Sequence, residues 1–216
     1  MKSVVLLSGG IDSTVTLAIA LQTSEVHTIS FDYGQRHIRE IESAIRVAES
    51  GRATSHQILP VPLFRFGAST LLKTSPQEPR TEAASGLADT YVPARNTVMI
   101  ALAAAYADSI GASSIWVGAN ADDYEGYPDC RPQYFEAFNL ALERGTVSKP
   151  TIQTPLVNLN KAEIVGLGDQ YGVDFSNTWS CYNPKGAFHC GQCDSCRLRK
   201  SAFGDAGVTD PTVYAT

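Results

Sequence analysis

The chain has 216 residues, enough for one sizeable hydrophobic core with a small appendage. An apolar fraction of 44% with a charged fraction of 18% excludes a disordered chain. The net charge of −5 argues against a general nucleic-acid binder, which carries a basic face.

The apolar run Val4-Val5-Leu6-Leu7 predicts a first strand over 3–7. Ser8-Gly9-Gly10-Ile11-Asp12-Ser13-Thr14 follows, and helical spacing predicts a helix over 12–22. That is strand, tight glycine turn, helix. The glycines let the backbone turn and approach a ligand closely. The free N–H groups of the turn and of the first helical turn converge where the helix dipole favours an anion. Ser8, Ser13 and Thr14 add hydroxyl donors, so the expected ligand is the phosphate chain of a nucleotide. A Walker loop needs a Lys after its second glycine, and a dinucleotide fingerprint needs three spaced glycines; neither is present. The order Ser-Gly-Gly-Ile-Asp-Ser at the end of a first strand resembles the pyrophosphate loop of the PP-loop ATP pyrophosphatases, enzymes that cut ATP between its α and β phosphates.

Further along, strand signals at 26–31, 57–61 and 113–117 alternate with helical signals at 37–50, 95–110, 132–143 and 161–170. In the 37–50 helix the apolar positions are Ile38, Ile41, Ile45, Val47 and Ala48. Asn160 is placed to cap the 161–170 helix, with Glu163 three residues on. Such alternation predicts a parallel sheet with helices on both faces, and ligands at the carboxyl ends of the strands. The glycine loop, the Asp32 turn and the turn from Gly118 to Asn120 all fall there. Between Phe64 and Pro93 the pattern weakens, which predicts a long irregular segment over the site. The residues after Phe203 read as a loosely ordered tail. Arg197, Arg199 and Lys200 read as a solvated helix face.

Cys181, Cys190, Cys193 and Cys196 form C-x8-C-x2-C-x2-C among turn-forming residues. Four thiolates in so short a stretch suit a tetrahedral structural Zn²⁺ site. Iron–sulfur clusters use similar spacings, but no redox feature accompanies this one. Cys130 stands apart and reads as a small packed residue. The N-terminus carries no secretory pattern, and no apolar stretch approaches the ~20 residues of a membrane span. The expectation is a cytoplasmic protein with reduced thiols.

Six segments together resemble the 7-cyano-7-deazaguanine synthase family. They are Ser8-Gly9-Gly10-Ile11-Asp12-Ser13, Asp32-Tyr33-Gly34-Gln35-Arg36-His37, Val92-Pro93-Ala94-Arg95-Asn96, Asp123-Tyr124-Glu125-Gly126-Tyr127-Pro128-Asp129-Cys130-Arg131, Thr154-Pro155-Leu156 with Lys161-Ala162-Glu163-Ile164, and the cysteine knuckle. The resemblance implies an α/β, parallel-sheet, Rossmann-like PP-loop domain (adenine nucleotide alpha hydrolase-like) over 1–175. A zinc knuckle with a C-terminal helix would cover 176–203, and a tail 204–216. It also implies an ATP-dependent carbon–nitrogen ligase that converts 7-carboxy-7-deazaguanine and ammonia to the nitrile, through adenylated acyl and amide intermediates.

On this reading Leu7, Ser8, Gly9, Gly10, Ile11, Asp12, Ser13, Thr14, Val15, Thr16 and Leu17 bind ATP. Asp12 orders the loop, helps hold Mg²⁺, or is simply a carboxylate favoured by the helix dipole. Ser8, Asp12, Ser13, Arg95 and Lys161 are the candidate catalytic residues. Arg95 and Lys161 meet developing negative charge, or are surface cations. Asn96, Asn120, Asp123, Tyr124, Tyr127, Asp129 and Arg131 are candidates for the base. Arg36 and His37 reach ATP or pack locally. Ala94 stands where the family pattern has Gly, and Glu125 where a small residue is usual. The resemblance implies a homodimer, with no nucleic-acid and no membrane partner. The alternatives are an enzyme that stops at the amide, a PP-loop tRNA-modifying enzyme, and a nucleotide-sensing protein without turnover.

Overall fold

The structure is a computed structural model and describes residues 1–66, 69–75, 90–123 and 126–215. Its strands are β1 (Lys2–Leu6), β2 (Glu25–Asp32), β3 (Ser55–Pro60), β4 (Ser114–Trp116) and β5 (Thr151–Gln153). Its α-helices are α1 (Ile11–Ala20), α2 (Arg39–Ser50), α3 (Arg95–Ile110), α4 (Pro132–Gly145), α5 (Lys161–Gln170) and α6 (Asp194–Ala206). The strands form one parallel sheet in the order β3–β2–β1–β4–β5. The chain therefore winds outward from β1 in one direction and then from β4 in the other. Between those two strands the sheet has its switch point, where open α/β sheets bind ligands.

Alternation along the strands builds the two faces. Val4, Ile29 and Ile115 pack on Ile100 and Ala103 of α3 and on Phe135 and Leu142 of α4. Val5, Leu7 and Val26 pack on Leu17 of α1 and on Ala44, Val47 and Ala48 of α2. A third cluster joins Ile11 and Val15 of α1 to Ile164 and Val165 of α5, Phe175, and Phe203 of α6. Each of these buried Val, Leu, Ile and Phe side chains contributes roughly 1.5–3 kcal/mol, and each alanine less. This explains how α6, polar over much of its length, stays docked through Ala202 and Phe203.

Strand and helix positions follow the sequence reading within two or three residues at their ends, and α3 and α5 match it. The Asn160–Glu163 pair is a full capping box, Glu163 N–H to Asn160 Oδ1 at 3.0 Å and Asn160 N–H to Glu163 Oε2 at 2.8 Å. Strand β5 has no counterpart in that reading. It has three residues and one buried side chain, Ile152, which leaves no alternation to detect.

Helix α2 buries Val47 and Ala48 as expected, but Ile41 and Ile45 are only half-buried. Its buried face is Ser43, Ala44, Val47 and Ala48, while Ile38 lies outside the helix with 66% of its surface exposed. Small side chains win this face because α2 crosses directly over the Gly9 backbone.

The C-terminus corrects two further expectations. The 207–215 segment is not loose: Tyr214 pairs with His189 in a parallel bridge and packs on its ring. In the Arg197, Arg199 and Lys200 group, Arg197 and Lys200 are exposed as expected but Arg199 is not. Arg197 is paired with Asp194, Arg199 is 2% exposed, and Lys200 lies over the Tyr214 ring. Of the irregular 64–93 segment, residues 67–68 and 76–89 lie outside the described residues. Arg36 ties part of the remainder down, donating to the carbonyls of Thr70 at 2.7 Å and Ser75 at 2.9 Å.

Candidate active site

Strand β1 ends at Leu6, and α1 begins at Ile11 with Gly10 as its N-cap. Gly9 has φ +82°, and a Cβ there would lie 2.6 Å from both the Ala44 nitrogen and the Glu40 carbonyl oxygen. Only glycine fits. The Gly9 carbonyl accepts from the Ser43 hydroxyl at 2.8 Å and from the Trp179 N–H at 2.9 Å, which fixes the turn from behind. The Ser13 hydroxyl accepts from the Ser8 N–H at 3.2 Å and sits 3.0 Å from the Ser8 hydroxyl. No side chain caps α1, so its first-turn N–H groups are left for an anion. Gly118, just past β4, lets the neighbouring strand end close against this turn. A Cβ there would lie 3.0 Å from the Asp12 carbonyl carbon.

The loop opens into a cavity of about 600 Å³. On its loop side Lys161 Nζ lies 2.5 Å from Asp12 Oδ2. Asn120, fully buried, donates to Asp12 Oδ2 at 3.4 Å and to Asp123 Oδ2 at 2.8 Å. Asp12 Oδ1 is buried with no hydrogen-bond partner. Burial would lower the Lys161 pKa, but Asp12, Asp123 and Asp122 outweigh it and hold the ammonium charged well above its usual range. Burial raises the Asp123 pKa, against the pull of Lys161. The result is one cation amid carboxylates at the head of α1, a donor set that suits a phosphate chain with its divalent cation.

The opposite wall is aromatic and charged. Arg95 begins α3 and lies over the Tyr33 ring, 5.8 Å from its centroid. Burial works against its charge, but Tyr33, Tyr127, Tyr182 and Glu40 more than compensate. Burial drives the Tyr33 and Tyr182 hydroxyls far above the usual phenol range, so both stay protonated. Glu40, on the first turn of α2, faces the same space. Burial raises its carboxyl to about 7 despite the opposing pull of Arg95. The Tyr127 hydroxyl is bonded to Thr90. Burial, with Asp123 and Asp129 nearby, pushes the Cys130 thiol up to about 12, which keeps it a neutral packed group.

The expected site residues divide accordingly. Leu7, Ser8, Gly10, Ile11, Asp12, Ser13, Arg95, Asn96, Asp123, Tyr127 and Lys161 line the cavity. Gly9, Thr14, Val15, Thr16 and Leu17 do not. Thr14 bonds back to the Gly10 carbonyl, and Val15 and Leu17 point into the core, as the helical period requires once Asp12 faces the cavity. Asn120 acts behind the cavity wall. Asp129 is absorbed in structure, accepting from the Asn96 N–H at 3.0 Å at the head of α3. Arg131 is exposed at the N-cap of α4. Tyr124 and Glu125 lie outside the described residues. Arg36 and His37 pack locally, with His37 Nε2 3.1 Å from the Tyr182 carbonyl oxygen.

Glu40, like Tyr33 and Tyr182, lines the cavity but was not among the expected site residues. Helical spacing places it on the same stripe as Ser43, Ala44, Val47 and Ala48, and a carboxylate on an inward stripe is the signal that marks it.

Behind the cavity the four cysteine sulfurs lie within 4.8 Å of one another. Two pairs, Cys190–Cys196 and Cys181–Cys193, are each 3.9 Å apart. A Zn–S bond of about 2.3 Å gives a tetrahedron with an edge of about 3.8 Å. A disulfide needs about 2.05 Å, and a cubane cluster holds its thiolates farther apart. Backbone N–H groups of Asn183, Cys190, Gln192 and Cys193 point at the sulfurs of Cys181 and Cys190 from 3.2 to 3.4 Å, as thiolates require. The residues fit a metal ion. Trp179, stacked on His189 with centroids 4.0 Å apart, joins this knuckle to the glycine loop.

Comparison with known proteins gives the lineage. Residues 2–207 match the family model described as Queuosine biosynthesis protein QueC. A 7-cyano-7-deazaguanine synthase from Hydrogenovibrio crunogenus is 49% identical over 223 residues, covering 100% of this chain and 96% of that protein. One from Cellvibrio japonicus is 48% identical over 221 residues, covering 99% and 98%. Among solved structures, NMN synthetase from Francisella tularensis shares the fold at 18% identity and a TM-score of 0.54, covering 96% of this chain and 77% of that one. No described helix is long and apolar enough to cross a membrane. With its glycine turn, four-cysteine knuckle and nearly end-to-end match, the chain belongs to the QueC family of queuosine biosynthesis proteins.

Proposed function

We propose that the protein is an ATP-dependent 7-cyano-7-deazaguanine synthase. The observation that carries this reading is a single cavity bounded by the Ser8–Ser13 turn on one side and by Glu40, Arg95 and three tyrosines on the other. Its volume of about 600 Å³ suits a planar bicyclic base held against a nucleotide's α-phosphate.

In the reaction, the carboxylate of 7-carboxy-7-deazaguanine attacks the α-phosphorus of ATP and pyrophosphate leaves. Ammonia adds to the acyl carbon, loses a proton, and AMP departs to give the amide. The amide oxygen then attacks a second ATP, again releasing pyrophosphate. Loss of AMP and of the nitrogen-bound protons forms the C≡N bond. Adenylation makes a leaving group of an oxygen that is otherwise a poor one, so one site serves both halves.

Main-chain N–H groups of the loop and the Ser8 and Ser13 hydroxyls hold the phosphates. Lys161 meets the charge that develops on the phosphoryl oxygens, and Arg95 the charge on the acyl oxygen. Asp12, through its unpartnered Oδ1, and Asp123 are the groups that would hold the Mg²⁺ accompanying ATP, which supplies charge neutralisation on the phosphates. Cys181, Cys190, Cys193 and Cys196 would hold Zn²⁺, whose contribution is structural because four thiolates leave no open position. Asn96 and Tyr127 line the base side. Ammonia as the nitrogen donor, a homodimer and a cytoplasmic location carry over from the family likeness.

The test is incubation with ATP, 7-carboxy-7-deazaguanine and ammonium, followed by mass spectrometry. The expected result is a nitrile-bearing base with two AMP formed per nitrile. Amide that accumulates without nitrile would change the product, and ATP use that ignores the substrate would end the reading.

A further inference from the structure

Glu40 is the group that the chemistry above leaves without work. Its carboxylate has no hydrogen-bond or ion-pair partner among the described residues. It lines the cavity, and it sits on the stripe of α2 that otherwise faces inward. Glu40 is half-buried at the wall of the open cavity, and a ligand that fills the cavity would strip its carboxylate of water at a cost unless the ligand brought N–H donors. Arg95 lies across the same space, near enough for the two charges to act on each other, yet no ion pair closes between them. An acceptor and a donor are thus held apart side by side, with room for a third party.

We propose that Glu40 is the specificity-determining residue that reads the paired N–H donors of a guanine-type base, with Arg95 beside it meeting the base's carbonyl oxygen. The inference rests on the synthase reading and adds to it the residue that chooses the base. A carboxylate offers acceptors only. The edge of a guanine-type ring presents two adjacent donors, the ring N–H and the exocyclic amino group, next to one carbonyl acceptor. Glu40 and Arg95 complement that order. Adenine's edge pairs its amino donor with a ring-nitrogen lone pair, which a carboxylate repels, so Glu40 does not suit the adenine of ATP. The raised Glu40 pKa agrees with a carboxylate still waiting for N–H donors.

The experiment compares wild type and Glu40→Gln with 7-carboxy-7-deazaguanine and with its analogue lacking the exocyclic amino group. Wild type should reject the analogue by about 100-fold or more in kcat/KM, because the analogue leaves a buried acceptor unpaired. Glu40→Gln should lose a comparable factor with the true substrate, mostly through KM, because an amide can present only one acceptor to two donors. It should then barely distinguish the two bases, while KM for ATP stays unchanged. If Glu40→Gln does not fold, as judged by its melting curve, Glu40→Asp is measured the same way and should show a partial loss of discrimination. A rise in KM for ATP alone, or discrimination equal to that of wild type, overturns the Glu40 assignment. A wild-type enzyme that converts neither base overturns the synthase reading itself, so the two failures are distinguishable.

Discussion

The Trp179 N–H donates to the Gly9 carbonyl across 2.9 Å, joining the cysteine knuckle to the glycine turn at the cavity. Trp179 also donates through Nε1 to the Cys181 carbonyl at 2.9 Å, and its ring stacks on His189 beside Cys190. Order in the knuckle is therefore shared with the glycine turn proposed to bind phosphate.

Loss of the metal should reach the nucleotide. Cys193→Ser, or treatment with a strong chelator, should lower bound zinc, lower the melting temperature and weaken ATP binding together, since binding energy at such sites is folding energy. Elemental analysis with calorimetric titration of a non-hydrolysable ATP analogue checks this. An unchanged one-to-one zinc content in Cys193→Ser would refute the ligand set.

Lys161 is tested at the chemical step. Lys161→Ala removes the cation 2.5 Å from Asp12 and should lower kcat by about 10²–10³-fold, with a smaller change in KM for ATP. Pyrophosphate release under single-turnover conditions measures it. A variant with a lower melting temperature but normal kcat would reduce Lys161 to a structural counter-ion.

Ala94 holds φ +52° at the head of α3, a left-handed conformation that costs an L-residue roughly 1–2 kcal/mol. Glycine relieves that strain but gains freedom in the unfolded chain, which leaves a net stabilisation of about 0.5–1 kcal/mol for Ala94→Gly. A urea midpoint shifted upward with an unchanged slope is the expected reading, and a downward shift contradicts it.

Glu40 gives stability a pH dependence of known sign. Its carboxyl titrates at about 7 in the fold, against 4.5 for an ordinary glutamate. The folded protein therefore binds this proton more tightly than the unfolded chain. The associated stability is complete below the ordinary value and is lost as pH rises through about 7. Thermal melts of nucleotide-free protein should show wild type falling behind Glu40→Gln between about pH 5 and pH 8. Parallel profiles would mean that Glu40 is not desolvated.

The parts of the fold legible in the sequence are those with local causes. The Ser8–Ser13 turn, the Asn160–Glu163 capping box and the cysteine spacing each carry their geometry within a few residues. What escaped depends on distant partners. Strand β5 exists because Ile152 pairs alongside β4, not through any pattern of its own. The buried face of α2 is set by Gly9 beneath it, which the spacing of apolar residues does not reveal, and no motif marked Glu40. Asn120 and Asp129, read as base contacts because of their motif, serve instead to hold Asp12, Asp123 and the head of α3.

Arg199 shows what the end of the chain is for. Its guanidinium donates to Asp210, to the Thr178 and Ser180 hydroxyls and to the Phe175 carbonyl. A chain shortened after Gly207 would strand that cation without its counter-ion, at about 3–5 kcal/mol. The final stretch, easily trimmed as dispensable when shortened versions are designed, is thus a keystone: removing it would cost as much as a poor substitution in the deepest packing.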